Sequence, residues 1–173
     1  SVSKISRFYF DFAKEKKQLA SNQTAYTPAI TLIMALDEAL KMIFEEGLEA
    51  RFARHEKLAL ATRNAVKALG LELLTNHSPS NSVTAVKLPE SLVAKGGKLL
   101  IKQMRDKYGV TAAGGQDELE GKIIRLTHLG YIDDFDILTG IGALELALYD
   151  LGEKNFDLGA GTTAVLKTLS KNN

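Results

Sequence analysis

Arg125 stands inside the apolar run Ile123-Ile124-Arg125-Leu126. On a strand, where successive side chains alternate, it projects from the face opposite Ile124 and Leu126. Burying a guanidinium without a partner is costly. Its planar fork takes a carboxylate through two parallel hydrogen bonds. The residue reads as an anchor for a ligand carboxylate, as half of an internal salt bridge, or as part of an exposed strand face, and its chemistry alone leaves these open. A second place is Thr24-Ala25-Tyr26-Thr27-Pro28. Thr27 before Pro28 signals a helix start, because the Thr oxygen caps free N–H groups and Pro suits the first helical position. Hydroxyls from Thr24, Tyr26 and Thr27 beside those N–H groups suit a phosphate; a simple cap with a packed tyrosine is the alternative. The third place, Gly114-Gly115-Gln116, lacks the spacing of a nucleotide fingerprint or P-loop. It reads as a turn or as a mobile flap beside Arg125.

The histidines offer less. His55 falls on an apolar helical stripe and reads as packing. His128 either finishes the Arg125 strand, the preferred reading, or faces the same site. His77 and the carboxylates show no metal-ligand spacing, so no metal is expected. No spacing suggests a nucleophilic triad.

These residues need elements to hold them. Residues 29–46 form an apolar helix ended by Gly47; apolar residues lie nearly all round it, which predicts deep burial. A second helix, 48–69, carries an inner stripe of Leu48, Phe52, His55, Ala59, Thr62, Val66 and Leu69 and stops at Gly70. Short strands are expected at 71–74, 83–88, 110–113 and 122–127, with helices at 91–108 (weakened by Gly96-Gly97), 133–151 and 162–169. Lys14-Glu15-Lys16-Lys17 reads as a solvated face. Strand pairs separated by single helices make this an α/β chain of the α+β kind: a short mixed or antiparallel sheet with helices packed mainly on one face.

The 173 residues suit one domain or slightly more, and 45% hydrophobic with 25% charged residues is ordinary globular composition. There is no cysteine, which removes disulfides and thiolate metal sites and fits a cytoplasmic location. A net charge of +1 gives no field to attract nucleic acid or an acidic membrane. Ser1-Val2-Ser3-Lys4 does not open a signal peptide. The run Arg7-Phe8-Tyr9-Phe10-Asp11-Phe12 wants a partner surface, so the chain is expected to be a piece of something longer.

Taken in order, Arg7-Phe8-Tyr9-Phe10-Asp11, Thr24-Ala25-Tyr26-Thr27-Pro28-Ala29, Ala113-Gly114-Gly115-Gln116 and the stretch from Gly121 through Arg125 to Gly130 resemble the C-terminal portion of class V aminotransferases. The likeness is to the alanine–glyoxylate, serine–glyoxylate and serine–pyruvate group, some relatives of which are called the small subunit of a soluble hydrogenase. It covers roughly residues 7–171. The resemblance implies a fold-type I homodimer using pyridoxal 5'-phosphate, with a large cofactor domain and a small C-terminal domain. Residues 1–28 would link from the large domain, and 29–173 would form the small domain with its long inter-domain helix. It implies amino transfer from alanine or serine to glyoxylate or pyruvate. Arg125 then binds the substrate carboxylate, and Thr24, Tyr26 and Thr27 lie at the cofactor phosphate of the neighbouring subunit. The family's Schiff-base lysine lies upstream of Arg7, so no catalytic residue is expected in this chain, and the chain alone is expected to be inactive. Lys4 reads as a surface residue. Two other readings are a non-catalytic binding or regulatory domain and another class V enzyme such as a lyase; a desulfurase, which needs a nucleophilic cysteine, is opposed by the cysteine count.

Overall fold

The computed structural model describes Ile5 and residues 7–172, so the expectation for Lys4 lies outside the described residues. Two compact units emerge, Ser1–Leu48 and Glu49–Asn173.

In the first unit, Asp11 caps helix α1 (Phe12–Leu19), its side chain accepting from the N–H groups of Ala13 and Lys14. Phe8, Tyr9 and Tyr26 form a ring cluster, with Tyr26 4.6 Å from Tyr9 and 5.1 Å from Phe8 between centroids. Helix α2 (Ile30–Glu46) begins later than Thr27-Pro28 predicts. Ala29 sits at φ −77°, ψ 69°, and the Ile30 N–H donates to the Pro28 carbonyl at 2.9 Å. That geometry is an inverse γ-turn, and it spends on the turn the residue that the Thr-Pro signal assigns to the helix. Thr27 therefore does not cap α2. The deep burial expected of α2 is not met among the described residues, in a chain that is itself expected to be a piece of something longer. None of its residues is buried, and Leu32 and Phe44 are 71% and 76% exposed. Lys41 pairs with Asp37 and Glu38 along one side of the helix, while most apolar side chains on the rest of it are exposed.

The second unit is built on helix α3 (Leu48–Ala68) and a three-stranded antiparallel sheet of β1 (Val83–Lys87), β2 (Ala113–Gly114) and β3 (Ile123–Thr127), ordered β1-β3-β2. The α3 stripe is buried from His55 onward, but Leu48 and Phe52 are exposed. Thr84 and Val86 pair with Leu126 and Ile124, so these four share a sheet face. Val86 and Ile124 enter the core with Leu58, Leu100, Met104 and Leu144. On the other face Val83, Lys87 and Thr127 are exposed. The helices therefore cover mainly one face, as the order of elements predicts.

The remaining differences have local causes. The expected strand at 71–74 contributes only a bridge from Leu73 to Val86. The expected 91–108 helix divides into α4 (Glu90–Ala94) and α5 (Leu99–Tyr108). Gly96 and Gly97 have φ of 99° and 58°, and a Cβ on Gly97 would lie 1.9 Å from the Gly121 carbonyl oxygen. Helix propagation stops where the backbone turns left-handed. Helix α6 (Asp134–Asp150) starts with a capping box of Asp133 and Asp136. Helix α7 (Ala160–Leu169) docks its N-terminus on buried Glu145, whose carboxylate accepts from the Gly159 N–H at 2.6 Å and, more weakly, from Gly161 and Thr162. A carboxylate at a helix start satisfies unpaired donors and opposes the helix dipole.

Candidate active site

Arg125 occupies the middle of the central strand, with Ala85 as its cross-strand partner on one side and Ala113 on the other. Two small neighbours leave the guanidinium uncrowded. Its Nε donates to the Gly114 carbonyl at 2.7 Å. Among the described residues no carboxylate forms an ion pair with it. The side chain is half-buried and lines a cleft of ≈ 610 Å³, whose wall also includes Leu126, Thr127, Ile137 and Asp136. Mostly apolar walls with one oriented cation make a place where a small anionic ligand is held against a non-polar body. Asp136 is committed to the α6 capping box, accepting from the Asp133 N–H at 2.9 Å.

His128 is fully buried just beyond β3. Its Nδ1 lies 2.9 Å from the Asn81 carbonyl and its Nε2 2.9 Å from the Thr84 hydroxyl. A carbonyl only accepts, so Nδ1 carries the proton; in the neutral ring Nε2 then accepts from Thr84. Burial pushes the His128 pKa down to about 4, with nearby Arg63 and His55 acting in the same direction. The ring shares the Thr84 face of the sheet, opposite Arg125: it finishes the strand and is not part of the cleft lining. His55 accepts from the Gly130 N–H at 3.3 Å, and Arg54 donates to the Ile132 carbonyl at 2.7 Å. Together they hold the loop that follows His128. His77 lies in an exposed turn.

In the first unit, the Thr24 hydroxyl donates to the Tyr26 carbonyl at 2.7 Å. The Tyr26 hydroxyl accepts from Lys14 Nζ at 2.9 Å, and Glu15 accepts from the Ala25 N–H at 3.3 Å. Lys14 and Glu15 thus brace the 24–26 segment and are more than the solvated face their composition suggests. Thr24 and Thr27 are exposed, and no side chain caps α2. The segment presents hydroxyls beside first-turn N–H groups that no side chain occupies, which fits a phosphate, although Thr24 would have to release Tyr26 to donate.

Sequence reasoning missed two groups. Glu145 sits in an apolar stretch like Arg125, and that shared signal, a lone charge among apolar residues, marks it. The Gly114 carbonyl carries no signal in residue type.

The chain has counterparts among known proteins in both sequence and fold. No protein-family model matches the chain. It is 43% identical over 167 residues to a soluble hydrogenase small subunit of Synechococcus sp. (strain PCC 6716), covering 96% of this chain and 42% of that protein. It is 36% identical over 171 residues to the serine–glyoxylate aminotransferase of Methylorubrum extorquens, covering 98% and 42%. Its fold matches the crystal structure of ureidoglycine–glyoxylate aminotransferase from Bacillus subtilis with a TM-score of 0.88 at 27% identity, over 97% of this chain and 43% of that one. The chain is a homologue of the serine–glyoxylate and alanine–glyoxylate aminotransferases. It corresponds to their C-terminal portion and spans about 42% of the length of these relatives. Among the described residues no helix is long and apolar enough to cross a membrane.

Proposed function

We propose that this chain is the C-terminal portion of a pyridoxal-phosphate-dependent aminotransferase that moves an amino group from alanine or serine to glyoxylate or pyruvate, working as a cytoplasmic homodimer. The observation that carries the reading is the state of Arg125: tethered at Nε, free of an ion pair among the described residues, and set in a largely apolar cleft. Both classes of substrate carry a carboxylate that such a guanidinium binds through two charge-assisted hydrogen bonds. Fixing the carboxylate fixes the direction of the Cα–H bond relative to the rest of the site, and orientation of that kind is worth several kcal/mol of barrier. The cofactor, when bound, supplies the electron sink for breaking that bond. Thr27 and, after rotation, Thr24 would hold its phosphate with the first-turn N–H groups of α2, while Tyr26 keeps the segment in place through its contact with Lys14.

The test is Arg125→Lys in the holoenzyme. Lysine cannot reproduce the fork. Losing a charged hydrogen-bond partner costs about 2–5 kcal/mol, so kcat/KM for alanine and serine should fall roughly thirty-fold or more. Amines without a carboxylate should lose much less. Normal kcat/KM for alanine and serine in the variant would end the anchor assignment.

A further inference from the structure

We infer that the Gly114 carbonyl, braced from beneath by the contact between Gly115 and Leu119, is the positioning group of the carboxylate anchor: it holds Arg125 by Nε and leaves the Nη1–Nη2 edge as the one that meets the ligand. The inference rests on the anchoring role proposed for Arg125. A guanidinium offers five N–H donors and two geometries for a bidentate partner, one using Nε with an Nη and one using both Nη atoms. In this protein the single Nε–H is engaged with Gly114 at 2.7 Å, so the first geometry is closed. Four donors on the two Nη atoms remain.

The acceptor is held by backbone contacts, not by a pliable loop. Gly114 belongs to β2 and pairs with Ile124. A Cβ on Gly115 would lie 2.0 Å from the Leu119 carbonyl oxygen and 2.9 Å from Ile123 Cγ1, so the short 3-10 turn Asp117–Leu119 closes directly against Gly115. That turn is pinned in its own right. Gly97 meets Gly121 so closely that no Cβ fits, and Lys98 pairs with Glu120 at 2.6 Å. The expectation of a mobile flap at Gly114-Gly115-Gln116 is replaced by a brace. With β3 fixing the arginine Cα and β2 fixing the Nε acceptor, both ends of the side chain are set before any ligand arrives. Preorganisation of this kind keeps the cost of ordering the long arginine chain out of the binding step.

Two experiments test it. In the first, the holoenzyme is labelled with 15N-arginine, the Arg125 signals are identified by their absence from Arg125→Lys, and acetate is titrated in. The Nη signals of Arg125 are expected to shift while Nε–H keeps its position and its slow exchange with water. An Nε shift as large as the Nη shift overturns the positioning role and leaves the anchor standing. No response from any Arg125 N–H removes the anchor and the inference with it. In the second, Gly115→Ala forces Leu119 and the turn to move, and the Gly114 oxygen with them. kcat/KM for alanine is expected to fall roughly ten-fold, the loss of about one well-placed charged hydrogen bond, while kcat/KM for an amine without a carboxylate stays within about threefold. An equal fall for the amine without a carboxylate overturns the role; if the variant does not fold, the titration of the unaltered protein decides.

Discussion

Helices α2 and α6 are both 17 residues long and both largely apolar, yet they end in opposite environments. None of the α2 residues is buried, while seven of α6 are. The capping follows the same division: α6 opens with a reciprocal box from Asp133 and Asp136, and α2 opens on an inverse γ-turn without a side-chain cap. Local sequence explains the start of α6, whereas the Thr27-Pro28 signal does not place that of α2. Nor does local sequence explain burial, because an apolar surface states a need for cover and says nothing of where the cover is. Helix α6 meets α5, α7 and the core around Ile124. Helix α2 finds nothing comparable among the described residues, and its Leu32, Met34 and Phe44 stay largely exposed.

Leu144 is fully buried in α6. Leu144→Ala removes the side chain from a packed core and leaves a cavity, so the 173-residue chain should lose about 2–5 kcal/mol in urea unfolding. A loss below about 1 kcal/mol would show a core loose enough to collapse around the gap, and the contrast with α2 would weaken.

Acid separates the two units a second way, since His55, His77 and His128 all lie in the second. The folded-state pKa of His128 is about 4, below the ordinary 6.5. Between those values the unfolded chain binds more protons than the folded one. Stability from the buried neutral ring is therefore complete above pH 6.5 and is lost as pH falls toward 4, an effect on the order of 3 kcal/mol. Asp150, held down to about 2 by Lys107, Tyr108 and Gln103, gives up its contribution only at lower pH. Unfolding free energies measured from pH 7 to 4.5 should decline, and His128→Gln should remove most of the slope. An unchanged slope in that variant would move the acid sensitivity to other groups.

Much of this fold is legible in the residues. Two aspartates mark the start of α6, Gly109 marks the end of α5, alternation marks β1, and an apolar run marks β3. Arg125 is legible as a charge in an apolar strand. What is not legible depends on groups far apart in the chain. The break between α4 and α5 is sharpened by Gly97 meeting Gly121, and the turn before β3 closes where Leu119 meets Gly115. These are close approaches of one backbone to another, and a glycine in a sequence looks the same whether it loosens a loop or lets two backbones touch. The Nε acceptor of Arg125 is a carbonyl that every residue type carries.

The smallest effect is expected on α2. Leu36 is 59% exposed, so Leu36→Ala gives up little buried surface. Ala is also the better helix former, by a small margin. In the 173-residue chain the substitution should change unfolding free energy by no more than about 0.5 kcal/mol, the usual range for surface positions. In the homodimeric aminotransferase proposed above the same change should cost more, up to the roughly 2–5 kcal/mol of a core leucine if α2 is covered there. A largely apolar helix that is bare in this chain should respond so differently in the two settings. A loss in the 173-residue chain as large as that of Leu144→Ala would mean that α2 is already packed, and the contrast between the two helices would be gone.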